Sequence, residues 1–390
     1  MTRSISGINP DVLKWARICS GLTLEEVAKR LKKDISVIQA WESESGISAP
    51  TYIQLENLAY KLYKRPLALF FFPSPPEEIN PKKSFRTLPQ EEMENLRSDT
   101  LYAIREAKAR QYALYELNDG VNRSDKKIFL DISLSLNSNI INATLHLRQY
   151  LGISLEDQIN WLNHREAMEN WRNLIQDKGV FVFKRSFKQK DISGFCLVDQ
   201  EFPVIYINNS SALFRQIFSL FHELAHILLN MNSISKLDDS YIDYLGDVER
   251  KMELFCNRFS AEFLVPISDF NKQVSQYNKH NADQFFKNMA NRYKVSREVI
   301  LRRLLSIDKI TNSYYNEKVD QWKKEYISKK KGEGGDYYAT QATYLGERFI
   351  NLAFNKFYQG HCTINQLADY LNIKEKNISN LEHYLIKGVA

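Results

Sequence analysis

The chain has 390 residues, 44% of them hydrophobic and 12% aromatic, a composition that excludes a disordered chain and leaves room for two or three domains. Its 53 basic and 47 acidic residues give a net charge of +6, compatible with nucleic-acid contact but equally with an ordinary solubilising surface. Four scattered cysteines without a CxxC pair exclude a disulfide scaffold and a cysteine-rich metal site, and no apolar run reaches the roughly 18 residues of a membrane span.

The N-terminal MTRSISGINPDVLKWAR lacks the apolar core of a signal peptide, so a cytoplasmic protein without membrane association is expected. Read along the chain, the pattern predicts an α+β protein, mostly α. A five-helix N-terminal domain covers 1–73, and a linker with a helical connector covers 74–175. A domain with a small antiparallel sheet covers 176–310, and a small helical domain covers 311–390.

Helical patches at 10–19, 23–31, 35–42 and 51–62 alternate with brief polar turns. The aromatic run LALFFFP (67–73) is too short to cross a bilayer and reads as a helix end packed at a domain junction. Residues 23–42, TLEEVAKRLKKDISVIQAWE, have the form of a helix-turn-helix. Thr23 and Glu26 make a capping box, Ala28 is small where two helices cross, Asp34 is placed to cap the second helix, and Ile38 and Trp41 form its buried side. With PDVLKWAR before it, SAPTYIQLENLAYKL after it, and Trp41, Glu42, Pro50 and Thr51 in place, the segment resembles the XRE family of phage-repressor-like domains.

In that geometry the start of the second helix faces the major groove. Of Ile35, Ser36, Val37 and Gln39, only Ser36 and Gln39 can hydrogen-bond a base edge. Lys32, Lys33, Lys61, Lys64 and Arg65 are the candidate phosphate contacts. Protein recognition or dimer formation is the competing use of such a domain.

SPPEEINPKKSF (74–85) is the clearest linker, and residues 89–175 are mostly helical, with amphipathic stretches at 92–118 and 140–151. Three β-rich runs follow, GVFVFKRSF (179–187), ISGFCLVD (192–199) and PVIYIN (203–208), read as an antiparallel set. They lead into the apolar helix FRQIFSLFHELAHILLN (214–230) and then a helix at 247–264 that stops before Pro266. Val248, Met252, Phe255, Phe259 and Phe263 make the apolar stripe of that second helix. KKKGEGGD (329–336) is a second linker. TINQLADYLNIKEKNISNL (363–381) also reads as helix-turn-helix, with a Thr363/Gln366 capping box, and is taken as a packing module without a DNA role. ANRYKVSREVILRRLL (290–305) has the same style, with Arg297, Arg302 and Arg303 as a solvated face. No long-period repeat stands out.

The string HELAH places His222 and His226 four residues apart, which on a helix puts both imidazoles on one face, able to bind one ion. Glu223 flanks that position and suits the base that takes a proton from the attacking water and passes it to the leaving amine. The surrounding residues are apolar, and a bound cation would relieve the cost of burying three ionisable groups, although ordinary buried histidines are the plainer alternative. A catalytic site needs a third ligand. Glu253 lies at the margin of the apolar stripe. Glu249 is its main rival, Glu262 is on the same helix, and Asp238, Asp239, Asp243 and Asp247 are nearby. Imidazole and carboxylate suit Zn2+ but accept other divalent ions. Cys256 reads as a small core residue. Tyr206 and Arg215 are candidates for oxyanion contact, with a structural role the simpler reading for each.

The stretch PVIYINNSSALFRQIFSLFHELAHILL, followed by MELFCNRFSAEFLVP, resembles the ImmA/IrrE metallopeptidases, a gluzincin-like group. The resemblance implies zinc as cofactor and Glu253 as the third ligand, with Asn257 and Pro266 also matching. Cys256 and Ser260 replace small residues of the family pattern. It further implies a site-specific endopeptidase cleaving one partner, a repressor or antitoxin-like regulator encoded nearby, to control gene expression. The peptide substrate is expected to pair with PVIYIN. DNA contact is expected through the N-terminal domain, and a homodimer is left open. The competing function is a DNA-binding regulator or antitoxin-like scaffold whose peptidase fold senses or binds a partner.

Overall fold

The computed structural model describes residues 4–43, 48–78, 85, 88–189, 191–236, 239–278, 281–327 and 336–388. The predicted linker at 329–336 therefore lies outside the described residues except for Asp336, and half of the linker at 74–85, residues 79–84, does so too. The chain divides into two compact units, one of residues 1–106 with 187–189, the other of residues 107–186 with 190–390. Both are mainly helical. Among the described residues no helix is long and apolar enough to cross a membrane.

The first unit begins with α1 (Pro10–Cys19), α2 (Leu24–Leu31) and α3 (Ile35–Trp41). Asn9 caps α1, and Thr23 and Glu26 form the reciprocal capping box that starts α2. Asp34 makes no side-chain cap on α3, contrary to expectation. Val12, Leu13, Ala16, Val27, Ile38, Trp41, Leu55 and Phe70 fill one core. The Trp-Glu and Pro-Thr pairs acquire reasons here. Trp41 is buried, Glu42 takes a two-pronged bond from Arg17 at 2.8 and 2.9 Å, and Thr51 forms a capping box with Gln54. In the LALFFFP run Phe70 is buried, whereas Phe71 and Phe72 are 41% and 48% exposed.

The second unit is built on a four-stranded sheet: β1 (Phe181–Arg185), β2 (Ile192–Leu197), β3 (Val204–Asn208) and β4 (Ser233–Lys236), in the order β1-β3-β2-β4. This corrects the antiparallel expectation. β1 pairs with β3 in parallel, and β2 pairs antiparallel with β3 and β4. Asp199 accepts from the Glu201 and Phe202 amides and tightens the β2–β3 turn, so these two strands form the hairpin. β1 must then take the outer side of β3. Local pattern cannot reveal that choice.

One face of the sheet carries α4 (His164–Asp177) and α5 (Leu213–Leu228), and α6 (Asp247–Leu264) packs against α5. Ring contacts lock these helices together: Trp171 meets Phe221 at 4.9 Å and Phe263 at 5.3 Å, and Phe221 stacks on Phe263 at 4.3 Å. The last carbonyls of α6 are satisfied by side chains. Arg148 donates to Phe263 O at 2.6 Å, and Gln158 donates to Leu264 O at 2.9 Å. Arg303 donates to Val265 O and pairs with Glu262 at 2.6 Å, so it is a largely covered tie and not part of the solvated face assigned to it. Val248, expected on the apolar stripe, is 61% exposed, because the first turn of α6 extends past the core.

α7 (Ala282–Tyr293) and α8 (Arg297–Ser306) follow, joined by a left-handed turn at Lys294. The unit ends with α9 (Glu347–Tyr358), α10 (Ile364–Leu371) and α11 (Ile378–Gly388).

Candidate metal centre

α5 is apolar on nearly every side. From Leu220 to Leu228 every residue is buried, and the only polar side chains in that stretch are His222, Glu223 and His226. The four-residue spacing sets both histidines toward α6. Their Nε2 atoms lie 3.1 Å apart, with ring centroids at 4.9 Å.

Glu253 completes the group from α6. Its Oε2 is 3.1 Å from His222 Nε2 and its Oε1 is 3.2 Å from His226 Nε2, and Glu253 and His226 are both fully buried. The ligand atoms of these three residues all lie within 4.8 Å of one another. The rivals fall away from this point. Glu249 is half-buried over Gly246, Asp243 is exposed and pairs with Arg250 at 3.3 Å, Asp247 is exposed, and Glu262 serves Arg303. Asp238 and the side chain of Asp239 lie outside the described residues.

Two imidazole nitrogens facing each other and one carboxylate cannot all be satisfied by hydrogen bonds among themselves. Glu253 Oε1 approaches His226 without hydrogen-bond alignment and is otherwise unpartnered, as is His226 Nδ1. A divalent cation fits this donor set: nitrogens bound about 2.0–2.1 Å from one tetrahedral ion sit roughly 3.3 Å apart. Burial opposes ionisation of Glu253, but His226 and His222 outweigh it and hold the carboxyl well below the usual carboxylate range. Such a pre-ionised acceptor is what a cation requires. Residues 175–305 match the family model of the IrrE N-terminal-like domain, Peptidase_M78. The match takes in all four strands and both helices of the cluster, and it supports a metallopeptidase relationship for this part of the chain. Comparison with curated proteins found no match.

Two neighbours steady the cluster. Asn257, one turn beyond Glu253, sets its Oδ1 3.0 Å from His222 Nδ1, and Tyr241 donates to Glu253 Oε2 at 2.8 Å. Tyr241 escaped the sequence reading because it sits on a short 3-10 turn, Asp239–Tyr244, with no periodic signal.

Glu223 is fully buried, facing β2 and β4. Ser233 on β4 donates to its Oε2, while Oε1 has no hydrogen-bond partner. Gly194 on β2 permits this approach: a Cβ there would stand 2.7 Å from Tyr206 O and 3.7 Å from Glu223 Cγ. Ser233 Oγ also lies 3.2 Å from Cys196 Sγ. Burial pushes the Cys196 and Cys256 thiols well above their ordinary range, so both are inert core groups and Cys256 is not a ligand.

Strand alternation decides Tyr206. Ile205 and Ile207 join the core with α5, and Tyr206 stacks on Phe195 at 5.1 Å on the opposite face, away from the histidines. Arg215 lies two turns before His222 on α5 and lines a cavity of about 80 Å³ with His222, Asn257, Ser235 and Lys236. It pairs with Glu298 at 3.6 Å, and both residues also line a neighbouring cavity of about 580 Å³.

In the first unit Lys32, Lys33, Ser36 and Gln39 are all exposed, as are Lys61 and Lys64. Arg65 is not available for phosphate. It is buried over the Trp15 ring at 4.1 Å and held by Glu78 at 2.8 Å.

Proposed function

We propose that this chain is a zinc-dependent endopeptidase that cleaves a partner regulatory protein, a repressor or antitoxin-like regulator, with the N-terminal helix-turn-helix addressing DNA. The observation that carries the reading is the meeting of His222, His226 and Glu253 beside a buried Glu223 on the same helix. Two imidazoles and one carboxylate form the donor set of His2Glu zinc enzymes.

When bound, the cation would polarise the scissile carbonyl and bring the pKa of water toward neutrality. Glu223, with one oxygen held by Ser233, keeps Oε1 to take the proton of the attacking water and return it to the leaving amine. Asn257 and Tyr241 hold His222 and Glu253 in orientation.

The substrate strand differs from the sequence expectation. β3, the PVIYIN strand, is paired on both sides and cannot accept a further strand. β4 is at the sheet edge, and its Ser235 and Lys236 line the cavity beside His222. An extended peptide laid along β4 would gain main-chain pairing next to the metal ligands.

The test is co-expression with the products of neighbouring genes, comparing the wild type with Glu223→Gln. A discrete fragment made by the wild type alone, with about one zinc per chain in both, is the expected result. Cleavage that persists in the variant, or folded protein without metal, would overturn the reading.

A further inference from the structure

We propose that α9–α11 form a second helix-turn-helix domain that sets α11 in the major groove of duplex DNA. The sequence alone reads Thr363–Leu381 as a packing module, and the structure adds two observations to it.

The first is that the backbone repeats the N-terminal motif. Thr363 caps α10 at φ −79°, ψ 165°, the same values as Thr23 before α2, and each threonine forms a capping box with the residue three places on. Both helices end in a left-handed residue that is not glycine, Lys32 at φ 55°, ψ 50° and Asn372 at φ 52°, ψ 46°. The following amides then close the turn alike, Lys33 to Ala28 O and Ile373 to Ala368 O, each at 3.0 Å. In both, helical structure resumes two residues later, at Ile35 and at the 3-10 turn Glu375–Asn377 that runs into α11. The buried positions correspond: Val27 with Leu367, Ala28 with Ala368, Ile38 with Ile378, Trp41 with Leu381. The first helices share a buried pair followed by alanine, Val12, Leu13 and Ala16 against Phe349, Ile350 and Ala353. In each copy the glutamate after the last core residue is tied to the first helix, Glu42 by Arg17 and Glu382 by Tyr358.

The second observation is what faces solvent. Any surface helix is polar on its outer side, and what counts here is the kind of groups that face out: Lys374, Lys376, Ser379, Asn380, His383 and Lys387 are all exposed. Aligned on α3, Lys376 and Ser379 stand where Ser36 and Gln39 do, and Asn380 replaces Ala40. Lysine suits guanine O6 and N7, and asparagine suits adenine N6 and N7, so this face carries a fuller base-reading set than α3. Asn380 donates one N–H to Tyr338 at 3.0 Å, which steadies it and leaves a donor and an acceptor for a base. Lys374 and Lys387 flank the face as phosphate contacts, and of the two acids nearby Glu382 is engaged by Tyr358. Besides the Asn380–Tyr338 bond, anchoring to the rest of the unit comes from α9 and α10: Tyr370 and Lys356 reach Glu116 and Asp119 at 2.9 Å each, and Arg348 pairs with Asp177.

The test uses the full chain and a fluorescent pool of duplexes with a randomised core. Binding at low salt and enrichment of a preferred sequence are expected. Lys374→Glu with Lys376→Glu should weaken binding at least about tenfold and flatten its salt dependence, and Asn380→Ala should relax the preferred sequence. All three positions are exposed, so the variants should stay folded, with at most a small drop in melting temperature for Asn380→Ala from the lost bond to Tyr338, and a photo-crosslinker at His383 should label the duplex. The proposal is overturned if the wild type leaves the pool unbound, or if the Lys374/Lys376 and Asn380 variants bind like the wild type, as they would if Ser36 and Gln39 alone read the duplex.

Discussion

The amide oxygen of Asn257 lies 3.0 Å from Nδ1 of His222, and Asn257 is one helical turn past Glu253. A single face of α6 thus presents a carboxylate to the cluster and an acceptor to the far side of a histidine. The acceptor fixes Nδ1 as the ring nitrogen that carries the proton and so makes Nε2 the unprotonated nitrogen that can ligate a cation. Replacing Asn257 with Leu should weaken zinc binding about 10- to 100-fold, as read by competition with a chelator at fixed pH. Asn257→Asp should restore most of the affinity. Unchanged affinity in the Leu variant would mean that packing alone orients the ring.

Ser233 offers a separate measurement, because it touches Glu223 and none of the three candidate ligands. Ser233→Ala should keep full zinc content while slowing cleavage about tenfold, since the carboxylate loses the donor that aims it. The loss should fall on turnover and leave substrate affinity unchanged, with Ser233→Thr recovering most of the rate. A matching loss of zinc in the alanine variant would refute this division of labour.

Lys184 on β1 is buried and pairs with Glu169 on α4 at 3.1 Å. Burial, reinforced by Arg172, lowers its pKa to about 8. Between that value and the ordinary 10.5, the unfolded chain holds a proton that the folded chain has released, so stability rises with pH across this window and the full penalty stands below it. Lys184→Met should therefore be more stable than the wild type at pH 7, by on the order of 1–2 kcal/mol, with the gap closing at higher pH. Urea unfolding of both proteins at neutral and alkaline pH checks this. A less stable variant at pH 7 would show that the Glu169 pairing outweighs the desolvation.

Much of the site could be read locally. His222, Glu223 and His226 needed only helical spacing on an apolar background, and α6 ends at Leu264 as Pro266 foretold. By spacing alone Glu253 was one acid among several, and only the family resemblance singled it out; the crossing of α5 and α6 brings it to both rings. Tyr241 and Ser233 gave no signal, because a hydroxyl on a short turn or an edge strand has no periodicity to mark it. The strand expected to receive substrate failed for a related reason. Alternation identifies which faces are buried but not which strand lies at the edge.

The sequence by itself determined most of the helices, three of the four strands, the Thr23 and Thr363 capping boxes and the pair of histidines, because these depend on contacts within a few residues along the chain. The strand order β1-β3-β2-β4, the meeting of Glu253 with both histidines, the burial of Arg65 and the tie of Arg303 to Glu262 were decided only in three dimensions. Each depends on groups distant in sequence meeting under close packing, where a difference of one strand position or one helical turn changes which side chains can touch.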